Sequence, residues 1–554
     1  MRIKVVQTPV SRARYRLFLY PLAIFLLFIV FAGFLAGKFL ERQVKNAILE
    51  QNTGMNISFE DIHVNVISRS VRVTGLDIRV KADTTARVYL EKLEVKGFRV
   101  MPWFRARKIA MSELNSNGLV VSGKFGSFRD GFRVESRPDK DTMVETHADN
   151  KPGSLEIKNI RFTGLSMNLS HMPGGVFRVR CSDMDLEVDD LEFLFNDTVR
   201  AIPLNVGVFR MDVYEPFLVF KDGFYAVRAS QIAMNTADSS LKVDTFRLVP
   251  QYSMKEFGEK HGLQTDRFDV NADLMQVSGI DYAGMIKDKT FYIEKILIDH
   301  LDANIFRDKN IPFDYNNFPA LPQSLLRKIQ VPMRIDKFLV QRSRIEYREL
   351  LQGSVEEGMV FLSDLDLGIS NISSSQGAIP LKVDARALLY GQGRMNVSVI
   401  MPMDVTRDTF EFHGNLGRMD FAAFNPMAVP NGHIRFESGL LDSVYFEARA
   451  NNQYASGLMN MLYQDVSVSL LNKKRPDMHK QGFLSFMANT VIHKSNLPGE
   501  DHNRVAEMYF QRDQNKGLIN YLWKTVFSGM KNSMQPGGKV QRKPSSKEEG
   551  RTSD

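Results

Sequence analysis

Residues 291–298 read FYIEKILI, with apolar side chains at the first, third, sixth and eighth positions and Glu294 and Lys295 between the two apolar pairs. Because side chains in a strand alternate between two faces, the two apolar pairs should point in opposite directions. A β-bulge inserts one residue and restores the face. The block therefore predicts a long strand, bent by a bulge, that is apolar along one face.

This spacing recurs eight times between residues 57 and 367, with mostly polar residues such as Lys158, Thr245 and Lys337 in the two filler positions. The alternative is that a loose pattern recurs by chance in a β-rich chain. The apolar positions are Ile57, Phe59, Ile62, Val64; Val88, Leu90, Leu93, Val95; Leu155, Ile157, Ile160, Phe162; Leu186, Val188, Leu191, Phe193; Leu241, Val243, Phe246, Leu248; Phe291, Ile293, Ile296, Ile298; Met333, Ile335, Phe338, Val340; and Val360, Leu362, Leu365, Leu367.

A body of one-faced strands must cover its apolar side, because each fully buried Leu, Ile or Phe is worth about 1.5–3 kcal/mol. The sheet can pack on a second sheet as a filled sandwich, or it can curl into a trough that holds something apolar. We expect the second solution, because lipid is available beside a membrane anchor. The predicted fold is therefore mainly β: an elongated, curled antiparallel sheet with a hydrophobic groove, one N-terminal transmembrane helix and a short C-terminal helix.

The anchor is predicted from residues 17–37, LFLYPLAIFLLFIVFAGFLAG, which carry no charge over 21 positions. That length crosses a hydrocarbon core of about 30 Å. Basic residues are concentrated before the segment, which predicts a cytoplasmic N-terminus and a periplasmic bulk. The alternative is a cleaved signal peptide, but the apolar run is longer than usual for one.

The pattern divides the chain of 554 residues into successive segments. We expect a basic cytoplasmic tail at 1–16, the membrane helix at 17–37 and a juxtamembrane helix at 38–54. A repeat domain at 55–430 contains a polar loop at 129–153 and a Pro-rich connector at 311–332. A C-terminal β domain at 431–530 ends in an amphipathic helix from Leu518 to Met530, which either caps the sheet or binds a membrane surface or partner. Residues 531–554 are predicted to be disordered.

Charge and motifs argue against nucleic-acid binding and against recognisable catalysis. The net charge of +8 resides at the two ends, since residues 1–40 and 531–554 contribute +6 and +3 and leave the body nearly neutral. A single cysteine excludes a disulfide framework. The best acid–base cluster is Asp299-His300-x-Asp302, which a solvated strand-end turn explains better. We therefore predict no catalytic residue, no metal, no cofactor and no enzyme activity; a hydrolase with an unrecognised site is the remote alternative.

Several stretches resemble the AsmA-like family of bacterial envelope proteins, which includes TamB. The stretches are NISFEDIHVNV (56–66) and VRVTGLDIRV (71–80) after the anchor; ALPQSLLRKIQVPMRIDKFLVQRSRIEYRE (320–349) and GMVFLSDLDLGISNIS (358–373) in mid-chain; and RMDFAAFNPMAV (418–429), GLMNMLYQDVSVSLL (457–471) and INYLWKTVFSGM (519–530) towards the end.

The resemblance implies an inner-membrane-anchored trough that carries phospholipid between envelope membranes and supports outer-membrane biogenesis. It also implies an outer-membrane or envelope protein as a partner, and it offers no catalytic residues. The family's bridge-forming members are often much longer than this chain, which puts a solo crossing of the periplasm in doubt. The competing interpretation is an envelope scaffold or assembly factor whose filled β-sandwich binds protein rather than lipid.

Overall fold

The alternating runs form strands, and the chain is mainly β as predicted. The computed structural model describes residues 55–65, 68–99, 108–124, 127, 154–170, 178–194, 204–220, 222–375, 377, 379–403, 408–471, 492–498, 504–535, 538 and 540–542. The predicted basic tail (1–16), membrane helix (17–37), juxtamembrane helix (38–54) and polar loop (129–153) lie outside these residues. Within them, no helix is both long enough and apolar enough to span a membrane.

The chain divides into two units, the first ending at Ala237 and the second beginning at Asp238. The strands of the first unit are β1 (Met55–Ser58), β2 (Asp61–Asn65), β3 (Ser70–Val80), β4 (Asp83–Lys96), β5 (Lys108–Lys124), β6 (Ser154–Thr163), β7 (Ser166–Ser170), β8 (Arg178–Cys181), β9 (Asp183–Leu194), β10 (Leu204–Asn205), β11 (Val208–Tyr214), β12 (Phe217–Val219), β13 (Tyr225–Arg228) and β14 (Gln231–Asn235). Strands β1 to β5 pair antiparallel, with β1 and β2 both on β3. Strand β5 then pairs parallel with β6 and β7.

The second unit is close to a meander. Its strands are β15 (Ser240–Pro250), β16 (Asp266–Ile280), β17 (Phe291–Asp308), β18 (Met333–Leu350), β19 (Glu357–Ser373), β20 (Leu381–Leu389), β21 (Gly393–Met401), β22 (Phe410–Leu416), β23 (Met419–Asp420), β24 (Ile434–Ala450), β25 (Tyr454–Leu470), β26 (Arg504–Gln511) and β27 (Val540–Arg542). Successive strands pair antiparallel, except that β17 and β18 run parallel and β22 pairs with β24.

Helices occupy the connections and the C-terminal end of the second unit. They are α1 (Met254–His261), α2 (Tyr282–Lys287), α3 (Pro322–Arg327), a 3-10 turn (Phe421–Phe424), α4 (Asn425–Gly432) and α5 (Leu518–Met534). Helix α1 begins at a capping box, in which Ser253 and Glu256 satisfy each other's backbone N–H groups. Every described helix that begins before residue 430 is about two turns long or shorter. This agrees with the prediction of a strand-dominated repeat region.

Two expectations need correction. The sheets are mixed rather than antiparallel, because the chain crosses over between β17 and β18 through the Pro-rich connector that holds α3. Parallel pairing requires such a crossover, since a hairpin cannot supply it. The terminal helix also continues past Met530 to Met534, and a strand follows at Val540–Arg542, so part of the predicted disordered tail is structured.

Each unit has its own hydrophobic core. In the first unit, buried residues of β2 to β6 and β9, including Leu93 and Ile157, form one cluster. In the second unit the large cluster lies among β20 to β26, α4 and α5. There Tyr521 of α5 packs edge-on against Phe410 of β22, with ring centroids 6.0 Å apart. Helix α5 therefore covers the C-terminal strands, which is the sheet-capping role that its amphipathic pattern allowed.

Candidate functional site

The candidate lining residues of the first unit are mostly enclosed. Eight of the fifteen whose side chains are described are buried, seven are half-buried and none is exposed. The side chain of Phe193 lies outside the described residues. The buried members are Ile62, Leu90, Leu93, Val95, Leu155, Ile157, Ile160 and Val188, and all of them belong to the core cluster of this unit.

The candidate residues of the second unit are more accessible. Of the sixteen on β15, β17, β18 and β19, only Ile293, Val340 and Leu365 are buried; the other thirteen are half-buried, and none is exposed. Val360 is the one described member that packs against the core cluster of this unit. A larger share of these side chains therefore keeps part of its surface accessible than in the first unit.

Register aligns candidate residues of adjacent strands in rows, because directly paired residues lie side by side. One row of successive partners runs through Val243, Met275, Ile298, Val340 and Leu367. A parallel row runs through Leu241, Val277, Ile296, Phe338 and Ile369. We call this apolar side of β15–β19, carried by the sixteen candidate residues and by Met275 and Val277 of β16, the open face.

The expected bulge occurs in only one of the eight repeat copies. On β19, Ser363 pairs with Leu388 and Asp366 with Arg386, so one residue is extra. On β15 the pairing stays one for one across the filler positions, and Thr245 instead adopts a left-handed backbone with φ of 54°. The exposed residues around it are Lys242, Thr245 and Arg247, so the face changes at Thr245 without a change of register.

Left-handed residues form a line across the open face. His300 on β17, Arg342 on β18 and Asp364 on β19 have φ of 50°, 51° and 48°. Such a conformation costs an L-residue about 1–2 kcal/mol, because Cβ approaches the following carbonyl oxygen. The strain recurs on three strands. We infer that burying the apolar side chains on one face contributes more free energy than the strained backbone costs.

Glycine adopts the same left-handed backbone at two positions, each close to a filler glutamate. Gly279 has φ of 66°, and a Cβ built on it would lie 2.4 Å from Cβ of Glu294, a filler on the paired strand. Gly75 has the same relation to Glu60, with a distance of 2.4 Å to Cγ. None of the sixteen filler residues is buried.

The acid–base cluster lies in mid-strand, so its prediction as a solvated strand-end turn was wrong. Asp299 is buried within β17 and accepts a hydrogen bond from Nε of Arg342 at 2.9 Å and another from Nη2. Nδ1 of His300 lies 3.3 Å from Oδ2 of the same carboxylate. The hydrogen bonds from Arg342 lower the pKa of Asp299, so the carboxylate is held ionised as half of an ion pair. This geometry stabilises two left-handed residues and presents no nucleophile.

No trio of His, Cys, Asp and Glu side chains comes together as a metal site among the residues the structure describes. The second unit does carry an open concavity of about 450 Å³, lined by residues that include Asp384, Asn396 and His413. Its wall is formed by β18–β22, where polar residues alternate along the strands with apolar ones that include Val340 and Leu367.

The open face ends in charge, which the sequence pattern did not reveal. At the ends of β16, β17 and β18, one further row of cross-strand partners consists of Asp266, Arg307 and Glu349. The available signal was an ionisable residue near one end of each strand, on the apolar side of its alternation: Asp266 begins β16, and Arg307 and Glu349 are the last residues but one of β17 and β18. Spacing along one strand could not show that the three lie side by side.

No protein-family model matches this chain, and no curated protein sequence matches it. The resemblance to the AsmA-like family therefore remains a prediction. The chain is assigned here to a structural class alone: a mainly β protein with mixed sheets and short connecting helices.

Proposed function

We propose that this chain is an inner-membrane-anchored periplasmic protein whose open face shields phospholipid acyl chains and conducts phospholipid between envelope membranes, in support of outer-membrane biogenesis. One observation carries the proposal: thirteen of sixteen apolar side chains on β15–β19 are half-buried, and their rows continue across five strands. A contiguous apolar surface that stays partly accessible often marks a ligand or interaction site.

Acyl chains suit this surface for a physical reason. The rows consist of aliphatic and Phe side chains, which offer no hydrogen bonds to a polar ligand. An apolar chain gains about 25 cal/mol for each Å² removed from water, wherever along the rows it lies. Because one row resembles the next, a bound chain exchanges one apolar contact for a similar one as it moves. No position along the rows therefore binds the chain much more tightly than its neighbours.

A second candidate function rests on the C-terminal part of the same unit. There the core among β20–β26, α4 and α5 is filled, with Tyr463 and Phe421 fully buried. A filled core of this kind fits a scaffold or assembly factor that binds an envelope protein through its surface. The two candidates differ in whether the open face carries lipid.

The test places one carboxylate on each side of β18. Phe338 is half-buried in the open face, paired with Ile296 and Ile369, while its neighbour Lys337 is exposed. A carboxylate among apolar chains lacks water and hydrogen-bond partners. We expect Phe338→Asp to lose most of its co-purified phospholipid, and Lys337→Asp to keep it.

Phospholipid is quantified by mass spectrometry on the full chain extracted in detergent, and circular dichroism checks that both variants are folded. Equal lipid content in the two folded variants would contradict the proposal. Wild-type protein without lipid would favour the scaffold.

A further inference from the structure

The charged end of the open face contains two complete ion pairs. Arg307 donates from Nε and Nη2 to the carboxylate of Asp266 at 2.7 and 2.6 Å. Nζ of Lys309 lies 2.6 Å from Oε2 of Glu349. Glu349 also accepts from the hydroxyl of Tyr347 at 3.1 Å and from Nδ2 of Asn431, on α4, at 2.7 Å. Both carboxylates are therefore already matched by cations of their own.

Two further ammonium groups come from the C-terminal segment. Lys516 precedes α5, and its Nζ lies 3.4 Å from the ring centroid of Phe313. Lys524 lies on α5, with its Nζ 5.8 Å from the ring centroid of Phe527. Within the part of the chain that the structure describes, neither lysine forms a salt bridge, although Asp513 and Glu349 act electrostatically on Lys516 and Glu349 acts on Lys524.

Burial lowers the pKa of both lysines. Lys309 lowers the pKa of Lys524 further, and Glu349 opposes this; Asp513 and Glu349 oppose the shift at Lys516, where Arg307 and Lys309 reinforce it. Both lysines are half-buried residues, and each has an aromatic ring beside its ammonium group. An anion beside them would stabilise both ammonium groups, because desolvation penalises an unpaired charge.

We propose that Lys516 and Lys524, with Arg307 and Lys309, bind the phosphate of an amphiphile whose acyl chain lies on the open face. The inference rests on the proposed function and names its substrate class: lipids with an anionic phosphate headgroup. The rows of apolar side chains reach Phe268, Ile305 and Tyr347 one step before the charged row. A lipid has the same order of chemistry along its length, from an acyl chain to a phosphate that accepts several charge-assisted hydrogen bonds.

The variant that tests this is Lys516→Gln combined with Lys524→Gln. Its matched control is Lys295→Gln combined with Lys337→Gln, which removes two lysines from the filler positions of β17 and β18. The full chain is equilibrated with detergent micelles that contain phosphatidylglycerol or diacylglycerol with the same acyl chains. Bound lipid is counted by mass spectrometry, and inorganic phosphate is tested separately by calorimetry.

We expect wild type and the control to retain phosphatidylglycerol over diacylglycerol by about tenfold, the scale of one charge-assisted hydrogen bond. The Lys516/Lys524 double variant should lose this preference and still bind diacylglycerol. Lys516→Arg with Lys524→Arg should keep the preference, which separates loss of charge from loss of folding.

Two results would overturn the headgroup site while leaving the proposed function intact. One is a double variant that keeps the wild-type preference. The other is tight binding of inorganic phosphate that the double variant loses with no change in lipid preference, which would make this a site for free phosphate. If wild type binds neither lipid, the proposed function fails and the headgroup site fails with it.

Discussion

Thr245, His300, Arg342 and Asp364 each adopt a left-handed backbone within a long strand, and at Thr245 the alternation changes face without a change of register. Thr245 is the most strained of them, because a β-branched residue is a genuine outlier at positive φ. The position is exposed, so its side chain contributes little packing. The backbone conformation, and not the threonine, is the functional feature.

Thr245→Asn should therefore stabilise the second unit, by about 1 kcal/mol, because asparagine tolerates the left-handed region far better than threonine does. Hydrogen exchange along β15 and the thermal midpoint measure the effect. The control is Thr84→Asn on β4, an exposed strand threonine with negative φ. At that position asparagine relieves no backbone strain and has a lower strand propensity than threonine. We therefore expect Thr84→Asn not to stabilise the protein. A destabilised Thr245→Asn would contradict the backbone account.

The sequence predicted a bulge in every copy of the repeat, and the structure has a bulge in one copy, on β19. When the apolar positions of a strand shift by one residue, the backbone must be irregular at that point. A β-bulge is the commonest irregularity of this kind. A bulge and a left-handed residue leave the same hydrophobic pattern, so the pattern cannot distinguish them. Gly75 and Gly279 carried a usable signal, since a glycine within a strand often marks unusual backbone.

At the scale of secondary structure, period-two alternation predicted strands that the structure contains, and helical spacing predicted α5. The parallel pair β17–β18 was not predictable, because the connector 311–332 reads only as Pro-rich. The charged end of the open face was hidden for a similar reason. Lys309 precedes Lys516 by 207 residues and Lys524 by 215, and only the fold lets Glu349 pair with Lys309 and act electrostatically on the other two.

Helix α5 provides a prediction about packing. Gly529 faces β25 and β26, and a Cβ built there would lie 2.6 Å from Cγ of Met508 and 3.1 Å from Cβ of Met459. Helix propensity alone would favour alanine by about 1 kcal/mol. We expect steric conflict to reverse that sign, so that Gly529→Ala lowers the free energy of unfolding by about 1–3 kcal/mol.

The comparison is Asn520→Ala on the same helix, where alanine gains propensity and meets no such obstacle. Denaturant midpoints for the two variants should move in opposite directions. A stabilised Gly529→Ala would show that α5 does not pack against β25 and β26 as closely as the structure has it.

At the scale of the whole molecule, the charge asymmetry around Leu17–Gly37 predicts the orientation of the chain. A reporter fused after Asp554 leaves α5 intact, whereas a fusion at Met530 would cut it. We expect alkaline phosphatase, which needs export, to be active at that position and a fluorescent protein that folds only in the cytoplasm to be dark. The reverse result would contradict both the orientation and the periplasmic lipid pathway.

Processing of the chain near residue 38 is a separate outcome. It would mean that residues 17–37 act as a signal peptide, as the alternative interpretation holds. The open face would then remain a lipid-binding surface, because it lies entirely within β15–β19, but the protein would lack its own anchor.

Lipid content of the native protein tests the central claim most directly. The full chain is extracted in a mild detergent, purified and denatured, and its phospholipid is quantified by mass spectrometry against protein, with Phe338→Asp as the reference. The account predicts phospholipid in the wild type that survives extensive washing and is largely absent from folded Phe338→Asp. Wild-type protein that carries no more phospholipid than folded Phe338→Asp would contradict it.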